Sequence, residues 1–230
     1  MRAANCATKE PMTDAQTVIR NDSAELPRQE LLKASPPMFD APWLDRLTRV
    51  HVAVVPVIFV PVIIAFTILG LREIVFWQGI LWAVGGYLVW TLTEYWLHRV
   101  VFHFEPDHPV GARLHWMIHG VHHDHPNDPM RLVMPPSASI PLGLIFIAAF
   151  QLLLPFSQAC MLSAGFFIGY LTYDMTHYYL HHRRPTSAVG RKLRELHMRH
   201  HFQDQERGYG VSAPYWDSVF GTAPKSRSEG

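Results

Sequence analysis

The sequence predicts an all-α integral membrane protein, with four transmembrane helices in two hairpins and a helical cap on one membrane face. Three observations predict it. Apolar runs are long enough to cross a bilayer, basic residues are almost confined to one side of those runs, and histidines gather on that same side.

The chain has 230 residues, of which 49% are hydrophobic and 17% charged, and its net charge is +1. That length suits one domain with a short arm. The charge balance, without interleaved basic and exposed aromatic residues, excludes a nucleic-acid partner. Cys6 and Cys160 are far apart, so neither a disulfide framework nor a cysteine metal site is expected. Residues 1–43 read as a flexible arm that ends at the interface. Its first 30 residues lack an apolar core and carry nine charged side chains, which excludes a cleavable signal peptide. Trp43-Leu44 then marks the approach to the membrane, where tryptophan is favoured.

The first span runs over residues 50–71, where His51 is the one residue able to carry charge. At 1.5 Å per residue it crosses a hydrocarbon core of about 30 Å. The second covers residues 74–97, after Arg72 and Glu73. The third and fourth cover 132–155 and 156–173, meeting at Pro155 in a turn too short for an exposed loop. All four are apolar on every face, unlike the amphipathic helices of a soluble core. Of the 20 Lys and Arg residues, Arg72 alone lies between the first two spans, and the turn at Pro155 has none. The other basic residues fall in the arm, in 98–131 and in 177–230. By the positive-inside bias, both termini and everything from His98 onward outside the spans are cytoplasmic.

Histidine is the outlier, with 15 in the chain. Four clusters stand out: His98-x4-His103, His119-x2-His122-His123, His177-x3-His181 and His197-x2-His200-His201. Helical residues at i, i+3 and i+4 lie near one another, so each HxxHH is expected to point three imidazoles at one locus. The His98–His103 pair lies about 140° apart on an α-helix, so that helix must bend or end, or the pair must flank the site. Ten imidazoles exceed the needs of one ion, and two ions with about five ligands each would use them. A sulfur-free nitrogen set suits Fe, Zn, Cu or Ni. Outer hydrogen-bond partners are expected from Glu94, Asp174 and His115, which lie close in sequence to the clusters. His51, His108, His125 and His182 read as structural.

At this point the sequence resembles the fatty acid hydroxylase superfamily, which includes sterol desaturases, and most of all its fatty acid 2-hydroxylase branch. The resemblance runs from about Leu44 to Thr222. It rests on the four clusters and on RLVMPP (Arg131–Pro136), THYYLHH (Thr176–His182) and YWDSVFGT (Tyr215–Thr222). It implies a fatty acid hydroxylase domain over 44–222, followed by a tail, 223–230. It implies a dinuclear iron centre on His98, His103, His119, His122, His123, His177, His181, His197, His200 and His201, which zinc can replace in purified protein. It also implies O2 and two electrons as co-substrates, and a hydroxyl added beside the carbonyl of a lipid acyl chain. The arm has no cytochrome b5-type HPGG motif, so a separate carrier of cytochrome b5 or ferredoxin type is expected to bring the electrons. Other lipid oxidations, such as sterol or carotenoid hydroxylation or desaturation, share the histidines. A non-catalytic zinc-binding membrane protein is the alternative of another class, but it would place its ligands at mid-membrane depth.

Overall fold

The computed structural model describes residues 27–104 and 106–225, and every described element is helical. The arm's first 26 residues and the last five of the tail lie outside the described residues.

Two short helices come first, α1 (Arg28–Leu31) and α2 (Pro42–Leu47). This stretch is tied down rather than loose. Asn127 N–H donates to the Leu32 carbonyl at 2.8 Å, and His125 Nδ1–H donates to that of Leu31 at 2.6 Å. Arg131 meets Asp45 at 2.6 Å, with its side chain only 2% exposed. Such a buried cation is tolerated because carboxylate and carbonyl oxygens surround it; the Pro36 carbonyl is the second acceptor.

Four long helices form the body: α3 (Val54–Gly70), α4 (Phe76–Trp96), α7 (Pro136–Leu153) and α8 (Phe156–His182). They coincide with the four apolar runs read from the sequence. Pro136 opens α7 at a position where no intrahelical N–H is needed. Leu154 and Pro155, both extended, separate α7 from α8. α8 has 27 residues, about 40 Å at helical rise, so it continues well past the apolar stretch that ends at Tyr173.

α8 is the axis of the fold. α3, α4 and α7 all pack on it, and 17 of its residues are buried. The first hairpin differs from expectation in one respect, because α3 and α4 each dock chiefly on α8 rather than on each other. The reason is glycine. A Cβ at Gly165 of α8 would sit 1.8 Å from the Ala83 carbonyl of α4, and one at Gly86 would sit 2.0 Å from the Leu162 carbonyl. Backbone meets backbone there, and large aromatics (Phe59, Trp90, Phe166, Phe167, Tyr170) fill the space above.

The outward faces of the bundle are apolar too. Leu81 is 71% exposed and Leu152 is 86% exposed, and Val57, Ile64, Trp77, Leu144 and Ile145 are comparably bare. An exposed apolar belt on this scale is of the kind that meets a membrane or another protein. Among the described residues, α7 is the one helix both long and apolar enough to cross a membrane by itself, and α3 is apolar but has 17 residues.

Candidate metal centre

The histidines sit where α4 and α8 leave the apolar body and meet the cap. α8 contributes His177 and His181, one turn apart, from its extension beyond the belt. α9 (Ala188–Phe202) opens with Ser187 capping the Gly190 N–H at 3.1 Å, and it buries His197, His200 and His201 while Arg191 and Lys192 face outward. The remaining histidines come from two places where the helix changes pitch. Beyond α4, residues Leu97–Phe102 form a π-helical turn, closed by His103 N–H donating to the His98 carbonyl at 3.2 Å. Between α5 (Pro109–His115) and α6 (Val121–Asp124), Trp116–Gly120 forms a second. A π turn carries one more residue than an α turn, so positions five apart return to one face. The geometric problem posed by His98-x4-His103 is solved there: the two Nε2 atoms lie 3.2 Å apart.

All ten predicted histidines come together, in two groups of five. One comprises His98, His103, His119, His123 and His200; the other comprises His122, His177, His181, His197 and His201. Within each group every ligand atom lies within 4.8 Å of the others. Nε2 of His119 is 3.1 Å from that of His98 and 3.0 Å from that of His123, and the His103–His200 separation is 3.1 Å. In the second group His181–His197 is 2.8 Å and His122–His177 is 3.0 Å.

The HxxHH motifs do not serve one locus each, which corrects the reading from sequence. The i and i+4 members (His119 with His123, His197 with His201) stay together, while the i+3 member (His122, His200) crosses to the other group. Positions i+3 and i+4 are 100° apart on a helix, and they straddle position i. Each HxxHH therefore feeds both groups. The groups abut, with the rings of His123 and His201 stacked at 4.3 Å.

Burial holds all ten imidazoles below their ordinary pKa, to about 3 at His103 and about 4 at His200. Neighbouring imidazoles lower nine of them further, whereas the Arg207 carbonyl partly offsets burial at His200. These rings are neutral, with Nε2 atoms converging from all sides. Two such nitrogens at 3 Å cannot both direct lone pairs at each other comfortably, and a divalent cation among them removes the conflict. The donor set fits two nitrogen-preferring metal ions.

Around the rings, His98 Nδ1–H donates to the Tyr209 carbonyl at 2.6 Å and His200 Nδ1–H to that of Arg207 at 2.8 Å. Phe102 stacks on His119 at 5.1 Å and Tyr173 on His177 at 5.7 Å. With that geometry in view, the sequence comparisons decide the family. Residues 83–222 match the profile of the fatty acid hydroxylase family. This chain belongs to it.

It is therefore a hydroxylase, an oxidoreductase of lipid metabolism. Dihydroceramide fatty acyl 2-hydroxylase FAH2 of Arabidopsis thaliana is 38% identical over 190 residues, 82% of this chain and 80% of that protein. Ceramide very long chain fatty acid hydroxylase scs7 of Schizosaccharomyces pombe is 36% identical, over 87% of this chain and 58% of its own length. The solved structure of full-length scs7p, in which only the hydroxylase domain is visible, superposes with a TM-score of 0.79 at 30% identity, covering 93% of this chain and 90% of that one.

The outer partners expected from sequence differ from those found. Glu94 accepts the Ser212 N–H at 2.7 Å and the Ser212 hydroxyl, and Asp174 accepts the Met134 N–H at 3.3 Å and the Tyr170 hydroxyl at 3.2 Å. Neither receives an imidazole N–H. Each instead anchors a backbone segment to its helix, because a buried loop N–H needs an acceptor as much as a ring does. His115 belongs to neither group. Sequence reading missed the Arg207 and Tyr209 carbonyls, since a backbone acceptor leaves no side-chain signal. Its one hint was Gly208, whose φ is +80°. The other histidines are structural: His108 Nδ1 caps Val110 N–H at 3.3 Å, His51 Nδ1 accepts from Ala53 N–H at 3.2 Å, and His182 packs on Tyr178.

Proposed function

We propose that this chain is an integral-membrane lipid 2-hydroxylase whose ten clustered histidines hold two iron ions. The hydroxyl goes to C-2 of a fatty acyl chain carried by a ceramide-type amide or as the free acid. The two abutting groups of five imidazoles carry the reading, and relatives named for acyl 2-hydroxylation support it. The balance is one C–H bond and O2, with two electrons and two protons, giving one C–OH and one water. When bound, iron supplies the redox chemistry that activates O2. The residues supply the rest. The Tyr209 and Arg207 carbonyls fix His98 and His200 in the Nδ1–H tautomer, which turns Nε2 inward. Phe102 and Tyr173 close the sides of two rings and exclude water from them. Electrons come from a carrier of cytochrome b5 or ferredoxin type.

Mass spectrometry of lipids from cells with and without the gene product tests the reaction. Acyl chains heavier by one oxygen, with the hydroxyl at C-2, are expected. A new double bond, or a hydroxyl elsewhere on a sterol or chain, would assign a different oxidation. Activity should track iron content and fall where zinc replaces it, since zinc binds nitrogen sites more tightly than iron(II) but has no redox chemistry.

The four long helices are read as spans, with the histidines and both termini on the cytoplasmic face. The outward apolar belt and the concentration of basic residues on one side support this. Reporter fusions at Arg72 and after Gly230 are expected on opposite sides of the membrane. Both reporters on the same side would refute the topology.

A further inference from the structure

The two groups of imidazoles are braced differently from outside. In the first, His98 and His200 each donate Nδ1–H to a backbone carbonyl, those of Tyr209 and Arg207, two residues apart on one loop. Nδ1 of His123 in the first group, and of His177, His181, His197 and His201 in the second, is buried with no hydrogen-bond partner among the described residues. The loop that makes the difference is locked from behind by a carboxylate that touches no histidine. Asp217, only 2% exposed on α10 (Tyr215–Val219), accepts the Tyr209 N–H at 2.9 Å and the Gly210 N–H at 2.9 Å, one on each oxygen. The Thr222 hydroxyl donates to it at 2.8 Å. The Thr222 carbonyl in turn takes the Gly208 N–H at 2.9 Å, and its hydroxyl lies 2.9 Å from that of Tyr95 on α4. Gly208 has a φ of +80°, and a Cβ there would lie 3.0 Å from Pro224. Its conformation lets the carbonyls on both sides of it reach the cluster.

We infer that Asp217 is a positioning residue for His98 and His200, acting through the loop from Arg207 to Gly210, and that their group holds its metal more tightly than the other. The inference rests on the two-metal reading above. An imidazole whose outer N–H is engaged is fixed in tautomer and orientation and is a stronger donor through Nε2. Two rings of the first group have that support through an acceptor held rigid by Asp217. One ring of the first, His123, and four rings of the second lack it. Asparagine at 217 would keep one acceptor oxygen and aim an NH2 at a backbone N–H, so the loop would loosen while the side-chain volume stayed the same.

The test uses the full chain in detergent, with elemental analysis for iron and zinc, timed metal release to a chelator, and thermal unfolding of metal-stripped protein. Wild type is expected to release two metals in a fast and a slow phase. Asp217→Asn should speed or weaken the slow phase by about 10–100-fold, the usual cost of losing an outer partner, and leave the fast phase unchanged. His201→Ala should retain the slow metal, and His201→Ala/Asp217→Asn should lose it. The control is Thr91→Val, which removes the acceptor of the Tyr215 hydroxyl and the Trp216 indole N–H and so destabilises α10 without touching the loop. Release at the wild-type rate from Asp217→Asn would overturn the inference. So would equal weakening of both phases with a loss of stripped-protein stability like that of Thr91→Val, which would make Asp217 merely structural. Wild-type protein that binds fewer than two metals would instead sink the two-metal reading itself.

Discussion

His200→Ala and His201→Ala, though adjacent in sequence, are expected to empty different metal positions. Nε2 of His200 belongs with His98, His103, His119 and His123, and that of His201 with His122, His177, His181 and His197. Each substitution removes one ligand of five, and its cost should exceed the roughly 10–100-fold in affinity that losing an outer partner costs. Each variant should purify with about half the wild-type metal and no measurable hydroxylation. Pairing separates this from general damage. His200→Ala with His98→Ala should lose little more metal than either alone, whereas His200→Ala with His201→Ala should lose nearly all. His108→Ala, which removes only an exposed helix cap, should keep both metal and activity. If the double variants lost metal equally, the two groups would not be separate sites.

That division was legible in the sequence and was nevertheless missed. The 100° step that sets His182 aside from His181 also separates His122 from His123 and His200 from His201. Applied evenly, it splits each HxxHH without any structure. The π turn at Leu97–Phe102 was less accessible, because a change of hydrogen-bond register is a backbone property that the side chains only permit. A spacing of five between two residues meant for one site was its trace. The long helices were readable because apolar runs bounded by Pro and charge leave few other solutions. The roles of Glu94 and Asp174 were not, since they depend on which loop folds back against each helix. Asp217 lies within the YWDSVFGT motif, but nothing in the sequence pointed to a role for it. It lies outside every histidine cluster, and its two backbone donors belong to Tyr209 and Gly210, eight and seven residues earlier.

The contact between α4 and α8 links the fold to the site, and glycine substitutions there should have large effects. His98 lies two residues beyond the end of α4, and His177 and His181 ride on α8, so the relative placement of these helices sets how the two groups of imidazoles lie against each other. Gly165→Ala would place a methyl 1.8 Å from the Ala83 carbonyl, and Gly86→Ala one 2.0 Å from the Leu162 carbonyl. Two effects compete. Alanine gains about 1 kcal/mol over glycine inside a helix. Forcing apart two backbones costs more, because no side chain can rotate away; overpacked cores typically lose about 1–3 kcal/mol, and here the obstacle is main chain. Net destabilisation is therefore expected for both variants, with metal content falling as the helices separate. Gly85 supplies the contrast. A methyl there would lie 3.6 Å from Leu162 Cδ1, an ordinary contact, so Gly85→Ala should show only the helical gain. Thermal unfolding in detergent, with metal analysis of each protein, compares the neighbours directly. Gly86→Ala as stable and as fully loaded as Gly85→Ala would show that the helices do not meet backbone to backbone, and the placement of the His98 group against His177 and His181 would then need another cause.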